Sequence, residues 1–294
     1  SARESGKFNK IKTLPYEGKE TEFLGYIDIH SSSEILGMFR DGDEVEEIKK
    51  GGEAILILDK TPFYAESGGQ VGDTGYIKTN SGKFNVRDTV KIKKNVFGHV
   101  GILESGSLKC NEQVEVFIDE HRRNDIKRNH SVTHLLHKAL KIVLGDHVEQ
   151  KGSLVDNLKT RFDFSHSKSI SNEEIHQIES IVNNEILTNK MTTTQMMSID
   201  KAKESGALML FGEKYDSEVR VLNIGNSIEL CGGTHVGNTG DIGLFKIYSE
   251  TGVASGIRRI EGVTGINLLK FLNDQEEILT RISKDLNTKT SEIP

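Results

Sequence analysis

Residues 128–140 read RNHSVTHLLHKAL, and this stretch decides the fold of the second half of the chain. Its apolar residues recur at the 3.6-residue spacing of an amphipathic helix. The spacing predicts a helix over residues 119–144, with Gly145 as its stop signal. His130 and His134 lie four residues apart, so both imidazoles project from one face of this helix and can share a metal ion. Taken alone, such a pair is more often two surface histidines than a metal site.

A second pair of metal-binding residue types comes nearly a hundred residues later, in the motif CGGTH. Cys231 and His235 are again four residues apart, and the two glycines between them let the backbone turn tightly. The alternative is a buried cysteine beside a polar turn. Together with His130 and His134 the set offers three nitrogens and one sulfur, which suits Zn²⁺ better than Mg²⁺ or Ca²⁺. His137 continues the helix face, either as a further ligand or as a cap on the core.

The first pair does not have the sequence of a zinc protease. The motif H-E-x-x-H of that class requires a glutamate after the first histidine, whereas Ser131 stands at this position. The usual general base of the class is therefore missing.

A glycine-rich stretch in the first half, residues 61–75, reads TPFYAESGGQVGDTG. Such a segment can expose backbone N–H groups to a phosphate or an ester oxygen. It lacks the Gly-Lys-Ser/Thr ending of a P-loop, so ATP binding is not implied. The alternative is a β-hairpin with bulged glycines.

The periodicity along the rest of the chain predicts an α+β fold in two domains. Short β-rich runs, among them residues 54–58 and 113–118, alternate with turns and predict a small barrel. Residues 161–164 predict a further strand, and a capping box from Ser171 to Glu174 predicts a helix to about Thr188. We expect, in order, a linker (1–20), a β-barrel domain (21–119), a zinc-binding domain (120–265) and the start of a longer C-terminal helix (266–294).

The composition is that of an ordinary soluble protein without a disulfide framework. Only Cys110 and Cys231 are present, which favours the reducing cytoplasm. No apolar run approaches the roughly 20 residues that span a bilayer. The formal net charge of −6 argues against nonspecific coating of nucleic acid, although it allows a local basic patch.

Several of these motifs together resemble the alanyl-tRNA synthetase family. They occur in the order of that family and cover most of the chain. The matching segments are TPFYAESGGQVGDTG (61–75), RNHSVTHLLHKAL (128–140), QKGSLV (150–155), RFDFSH (161–166), LFGEKY (210–215), ELCGGTHV (229–236), TGDIGLFKI (239–247) and ASGIRRIEGVTG (254–265).

The resemblance implies that this segment is the editing region of the family, on a small barrel and a zinc-containing α+β domain. It implies Zn²⁺ as cofactor, held by His130, His134, Cys231 and His235. It also implies that Thr133 and Gln150 lie near the wrongly attached amino acid, and that Gly69 and Gln70 face the same pocket from the barrel. The ATP-binding catalytic core of the class II synthetases is absent from this segment.

The resemblance also implies a tRNA partner, specifically the acceptor end of tRNA(Ala) carrying serine or glycine. Cations near the zinc helix and the predicted strands are candidates for its phosphates, with solvated charges as the alternative. These are Arg122, Arg123, Lys127, Arg128, Lys151, Arg258 and Arg259, with Lys159 and Arg161 extending the rim.

We therefore predict a zinc-dependent hydrolase that deacylates Ser-tRNA(Ala) and Gly-tRNA(Ala). Its full-length parent is expected to be an alanine–tRNA ligase that uses ATP. The nearest alternative is a free-standing alanyl-tRNA editing protein. A non-catalytic tRNA-binding module with a structural zinc is the alternative from a different class. The sequence leaves open whether serine or glycine is preferred, and whether zinc activates water or only positions the substrate.

Overall fold

The computed structural model describes residues 14–79, 81–209 and 215–292. The chain divides into two compact units. The first unit consists of the chain up to Asn124 together with Gly232–Thr234, and the second consists of Asp125–Cys231 and the chain from His235 onward.

The first unit is built on a closed barrel of six antiparallel strands. Its strands, in chain order, are β1 (Glu22–Phe23), β2 (His30–Arg40), β3 (Asp43–Glu44), β4 (Glu47–Lys49), β5 (Glu53–Leu58), β6 (Lys60–Thr61), β7 (Gly75–Lys78), β8 (Lys83–Lys93), β9 (Val96–Ser105), β10 (Ser107–Lys109) and β11 (Gln113–Ile118). Hydrogen bonds join the barrel strands in the order β11-β7-β8-β9-β5-β2, and β2 pairs with β11 to close it. Closure leaves none of these six strands as a free edge. The barrel predicted from the sequence is confirmed.

Alternating side chains fill the barrel. Along β11, Val114, Val116 and Ile118 are buried while the residues between them are more exposed, as the period of two requires. The predicted strands at 54–58 and 113–118 are confirmed as β5 and β11. The barrel core is apolar and includes Ile35, Met38, Leu56, Leu58, Phe63, Ile77, Phe84, Val86, Leu103, Val114 and Val116.

One histidine lies inside this apolar interior with both ring nitrogens satisfied. His99 Nδ1 lies 3.0 Å from the carbonyl oxygen of Leu56, and Nε2 lies 2.8 Å from the Thr61 hydroxyl. The neutral ring satisfies both contacts if Nδ1–H donates to Leu56 and Nε2 accepts from Thr61. Burial lowers the pKa of His99 to about 4 because the charged form loses its hydration.

A buried ion pair ties the glycine-rich stretch to the end of the first unit. The guanidinium of Arg123 bonds the carboxylate of Asp73, with Nε 3.0 Å from both oxygens. It also donates to the carbonyl oxygens of Gly25 (2.7 Å) and Pro62 (2.8 Å). The two charged side chains are 1% and 2% exposed, so this network is part of the core.

The second unit combines helices with two antiparallel sheets. Its helices are α1 (Glu120–Leu144), which contains the boundary between the units, α2 (Asn172–Leu187), α3 (Ile199–Glu204) and α4 (Gly265–Asp285). Its strands are β12 (Gln150–Val155), β13 (Thr160–Ser165), β14 (Thr193–Ser198), β15 (Glu218–Ile224), β16 (Ser227–Leu230), β17 (Phe245–Ala254) and β18 (Ile257–Thr264). The strand orders are β12-β13-β18-β17 and β14-β15-β16, and 3-10 turns occupy Thr239–Ile242 and Thr290–Glu292.

Helices α1 and α2 form where local signals predict them, whereas no pattern predicts the short helix α3. In α1 the apolar face of residues 128–140 is buried, and Gly145 takes a positive φ of 114° just after the helix ends. The Ser171 hydroxyl accepts from the Glu174 N–H while the Glu174 carboxylate accepts from the Ser171 N–H, so the predicted capping box opens α2. The α+β prediction is confirmed.

Two predicted segments fall partly outside the described residues. Only Tyr215 of the motif LFGEKY (210–215) is described, and of the expected linker 1–20 only residues from Leu14 onward. Leu14 and Tyr16 are buried against Phe39 and other apolar side chains of the first unit, a contact that no local pattern predicts. Among the described residues, no helix combines the length and the apolar character needed to cross a membrane.

Candidate metal centre

Four side chains from two distant parts of the second unit meet in one cluster. Helix α1 contributes His130 and His134, whose rings stack with centroids 5.4 Å apart. The segment after β16 contributes Cys231 and His235. One donor atom from each of the four residues lies within 4.8 Å of the other three. The structure thus brings together all four residues that were expected to hold a metal.

Local structure explains this convergence. The helical repeat places His130 and His134 one turn apart on the same face of α1. Strand β16 ends at Leu230, and the N–H of the next residue, Cys231, donates to the carbonyl oxygen of Arg220 at 3.0 Å. The end of the β15–β16 hairpin therefore fixes the backbone from which the thiol projects.

The donor types and the two distances from the Cys231 sulfur suit a tetrahedral zinc ion. Cys231 Sγ lies 3.5 Å from His130 Nε2 and 3.2 Å from His235 Nε2. Zn–S and Zn–N bonds of ordinary length would place such atoms about 3.5 Å apart on the edge of a tetrahedron. His134 Nε2 is buried and has no hydrogen-bond partner in the part of the chain that the structure describes. A buried nitrogen without a partner is costly, and a metal ion would satisfy it.

The electrostatics of the cluster favour the thiolate, which is the metal-binding form of cysteine. Burial raises the pKa of the Cys231 thiol, but the imidazoles of His130, His235 and His134 outweigh it and hold that pKa well below its usual value. Burial lowers the pKa of His235, helped by the neighbouring His130, to about 3. His235 is therefore held in the neutral form that can donate a lone pair.

A carboxylate lies on the far side of the His134 ring. Glu229 Oε2 is 2.6 Å from His134 Nδ1, and Oε1 accepts from the Ser227 hydroxyl at 2.8 Å. Burial would lower the pKa of His134, but the charges of Glu229 and Cys231 raise it to about 10. Burial likewise opposes the ionised form of Glu229, yet His134 and His137 lower its pKa.

A hydroxyl occupies the equivalent position beside the His235 ring. Ser131 Oγ lies 3.2 Å from His235 Nδ1 and accepts from the Val236 N–H at 3.1 Å. No sequence pattern predicts a role for Glu229, and Ser131 is notable in the sequence only because it stands where a zinc protease has glutamate. One sequence feature could have indicated Glu229: it is an acidic residue in a short β-like run, two positions before Cys231. Metal-bound histidines usually donate their second N–H to such a group.

His137 is not a member of the cluster. Its Nδ1 lies 3.5 Å from Glu229 Oε1, and its ring packs against Phe162 with the centroids 5.3 Å apart. Of the two roles weighed from the sequence, its position matches the core-capping one.

Comparisons with known proteins place this site in a family. The model described as tRNA synthetases class II (A) matches residues 2–122, and that of the threonyl and alanyl tRNA synthetase second additional domain matches residues 219–261. The alanine–tRNA ligase of Aromatoleum aromaticum is 53% identical over 292 residues, which are 99% of this chain and 33% of that protein. The alanine–tRNA ligase of Nitrosospira multiformis is 54% identical over 282 residues, 96% of this chain and 33% of that protein.

The chain belongs to the alanyl-tRNA synthetase family. It spans about a third of the length of the curated relatives it matches. The second additional domain match includes Cys231 and His235, so half of the metal cluster lies inside it.

Two further residues expected in the editing pocket of this family lie in the second unit. The Thr133 hydroxyl is buried on α1, donates to the Asn129 carbonyl oxygen (2.8 Å) and lies 2.7 Å from the Thr160 hydroxyl. Gln150 is half-buried at the start of β12, beside a register shift, and its amide donates to the Ser153 hydroxyl at 3.3 Å. Thr133 thus lies on the same helix as two of the cluster's histidines, and Gln150 lies on the sheet.

The two expected barrel residues of the family's glycine motif belong to a tight turn in the first unit. Gly68 and Gly69 have positive φ values of 59° and 83°, and Ser67 and Gln70 exchange backbone hydrogen bonds across them. This is a two-residue hairpin turn, which requires residues that tolerate positive φ. The Gln70 side chain is fully buried, donating to the Thr234 hydroxyl at 2.9 Å and accepting from the Thr234 N–H at 3.0 Å.

Most of the cations expected to bind tRNA have protein partners in the structure. Arg123 is buried in its pair with Asp73. The other cations are half-buried or exposed. Their partners are, in order, the Gly72 carbonyl oxygen for Arg122 (2.8 Å), Asp125 for Arg128 (2.7 Å), Glu149 for Lys151 (2.9 Å), Glu250 for Arg258 (2.5 Å), Asp163 for Arg259 (2.7 Å), Glu261 for Lys159 (2.5 Å) and Asp163 for Arg161 (3.6 Å), while Lys127 is half-buried on α1.

Proposed function

We propose that this chain hydrolyses the ester bond of alanine tRNA that has been wrongly charged with serine or glycine. The cluster of His130, His134, Cys231 and His235 carries the proposal, because it offers a zinc donor set in a chain of the alanyl-tRNA synthetase family. We further propose that the full-length protein charges tRNA(Ala) with alanine using ATP, in the cytoplasm.

A second, hydrolytic site is needed because an amino-acid binding pocket can discriminate between close analogues only to a limited extent. A pocket shaped for alanine cannot strongly reject glycine, nor serine, which adds only one hydroxyl. Binding alone separates such close analogues by about a hundredfold. An enzyme that needs a lower error rate must therefore remove the wrong product after it has formed.

In this proposal the four cluster residues hold Zn²⁺. The bound ion would supply a Lewis acid that polarises an ester carbonyl or lowers the pKa of a water molecule. Ser131 and Glu229 keep the rings of His235 and His134 in place through the contacts described above. The neighbouring imidazoles lower the pKa of the Cys231 thiol and so favour its thiolate form.

Thr133 and Gln150 are proposed to shape the pocket for the amino acid. The Thr133 hydroxyl already has two partners inside the protein, Asn129 and Thr160. Entry of alanine would therefore not leave it unpaired, and the discrimination of serine from alanine must come from another polar group. The side chain of Gln150 is half-buried and its amide contacts the Ser153 hydroxyl. Turning it toward a ligand therefore costs less free energy than turning the buried Thr133 hydroxyl. For Gly69 and Gln70, in the hairpin turn of the first unit, a role in editing is proposed on the family resemblance alone.

The tRNA phosphates are proposed to bind cations at the surface. Arg122, Lys127, Arg128 and Lys151 carry this part of the proposal. Four of the proposed cations take part only by exchanging a carboxylate for a phosphate. They are Arg128 (Asp125), Lys151 (Glu149), Arg258 (Glu250) and Arg259 (Asp163). Arg123 is left out because its guanidinium is buried and bonded to protein.

The test is deacylation without ATP. Serine-charged and alanine-charged tRNA(Ala) are incubated with the zinc-loaded chain and with a Cys231→Ala variant. Rapid release of serine, slow release of alanine and loss of both in the variant are expected. A Cys110→Ala variant controls for removal of a thiol, since Cys110 lies in the first unit and outside the cluster.

One observation favours a second candidate function, a tRNA-binding module with a structural zinc. Four protein ligands complete a tetrahedral ion, whereas catalytic zinc sites usually keep one position open. Serine release no faster than the spontaneous rate, with zinc bound and the fold intact, would favour this module over the hydrolase.

A further inference from the structure

Two side chains outside the proposed ligand set contact the ring nitrogens that point away from the cluster. The ring of a neutral histidine has one protonated nitrogen and one lone pair, so only one nitrogen can bind a metal. In His235 the nitrogen that faces Cys231 Sγ is Nε2, and in His134 the buried nitrogen without a hydrogen bond is also Nε2. Both rings can offer Nε2 to a metal only if the proton is on Nδ1.

For His134 the proton acceptor is Glu229. The residue is 5% exposed, and its carboxylate lies 2.6 Å from Nδ1. The other carboxylate oxygen accepts from the Ser227 hydroxyl at 2.8 Å, so hydrogen bonds at both oxygens hold the group in place. An ionised carboxylate can only accept hydrogen bonds, so this contact places the proton on Nδ1 of His134.

For His235 the acceptor is Ser131. Its side chain is fully buried, and Oγ already accepts the N–H of Val236, a backbone group that does not move freely. The hydroxyl oxygen has a second lone pair for a proton on His235 Nδ1, 3.2 Å away. Because Ser131 directly follows His130 on α1, the backbone that presents one histidine also positions the acceptor of another.

We infer that Glu229 and Ser131 are positioning residues that fix the protonated nitrogen and the ring orientation of His134 and His235, so that both present Nε2 to zinc. Neither is a ligand. The inference rests on the proposed zinc site, and it assigns the serine of the motif H-S-V-T-H to orientation of a ring rather than to proton transfer.

The first test is zinc affinity, measured by competition with a chromophoric chelator. We expect Glu229→Leu to weaken zinc binding about 10–100-fold, the usual effect of losing such a partner. Glu229→Gln keeps one acceptor oxygen and should restore part of the affinity. Ser131→Ala should weaken binding in the same direction.

The matched control is Glu179→Leu. Glu179 is a carboxylate of similar burial in the same unit (9% exposed), paired with Lys246 and bonded to the Ile247 N–H. Its loss should lower stability and leave the zinc dissociation constant within about twofold. If Glu229→Leu folds and also stays within twofold, or if Glu179→Leu weakens zinc binding equally, the inference is wrong.

A second measurement needs no variant and therefore does not depend on the folding of one. Long-range ¹H–¹⁵N spectra of the zinc-loaded chain distinguish the protonated from the metal-bound nitrogen of each histidine. We expect a proton on Nδ1 and zinc on Nε2 for both His134 and His235. Zinc on Nδ1 of either ring would overturn the inference.

These measurements also separate this inference from the proposed function, because none of them uses tRNA. Zinc bound through the expected nitrogens together with no release of serine would refute the hydrolase and leave the positioning roles standing. Failure of the unsubstituted chain to bind zinc would refute both.

Discussion

Replacing Arg123 by methionine should unfold the barrel at much lower denaturant concentration. The variant keeps most of the aliphatic stem and removes the guanidinium, leaving the Asp73 carboxylate buried with one remaining backbone donor, the Tyr64 N–H at 2.7 Å. The carbonyl oxygens of Gly25 and Pro62 lose their donors at the same time.

The magnitude follows from this burial. Breaking a buried ion pair by removing one partner costs about 3–5 kcal/mol. The two carbonyl groups add to this only in part, because such losses within one network are not additive. With a urea m-value of about 1.5 kcal/mol/M for a domain of this size, a loss of about 4 kcal/mol lowers the midpoint by nearly 3 M.

Urea unfolding followed by tyrosine fluorescence and far-UV circular dichroism measures the effect, since the chain has six tyrosines and no tryptophan. The control is Arg40→Met, which breaks an exposed pair with Asp41 (61% and 93% exposed) and should cost under about 1 kcal/mol. The double variant Asp73→Asn/Arg123→Met should recover part of the loss, because no unpaired charge stays buried. A loss under about 1 kcal/mol in Arg123→Met, equal to that of the control, would refute the role of this network.

Three other outcomes are expected. The free energy of unfolding of the first unit should fall by up to about 3 kcal/mol as the pH drops from 6.5 towards 4. The reason is that His99 becomes protonated in the unfolded state, whereas in the folded state its pKa is about 4 and it stays neutral. A His99→Phe variant should lack this pH-dependent component in urea titrations at several pH values. Gly69→Ala should cost about 1–2 kcal/mol in thermal unfolding because φ is 83°, whereas Gly69→Asn should cost less; equal costs would contradict the turn argument. Ser171→Ala should lower the stability of the second unit by about 1 kcal/mol, and Ser171→Asp should not, as checked by calorimetry.

Local patterns predicted the elements of this fold well. Helix α1 covers the residues expected of it, and the capping box at Ser171 opens α2 as its sequence indicates. Strands β5 and β11 likewise follow their alternating or apolar runs. These features depend on neighbours within a few residues, and such neighbours are visible in the sequence itself.

The candidate site was predictable in part. Spacing and residue type indicated His130, His134, Cys231 and His235, and the family resemblance implied the same four residues as one metal site. Contacts between segments far apart in the chain could not be predicted from local sequence patterns. The sequence does not show that Glu229 would face His134 across 95 positions, nor that Arg123 would be buried while its neighbour Arg122 stays half-exposed. The same limit applies to Arg258 and Arg259, which look like free cations in the sequence but bond carboxylates in the structure.

The wide separation of the two ligand pairs along the chain has a consequence for folding. If the cluster holds zinc as proposed, the ion joins His134 and Cys231 across nearly a hundred residues in the folded chain. Unlike a disulfide, such a link is lost on unfolding, so it stabilises the folded unit through the free energy of metal binding and not by constraining the unfolded chain. A disulfide would respond to the thiol balance of the compartment, but this link responds to the concentration of free metal. The lifetime of the folded second unit should therefore follow the zinc supply of the cell, and zinc starvation should expose it to proteases.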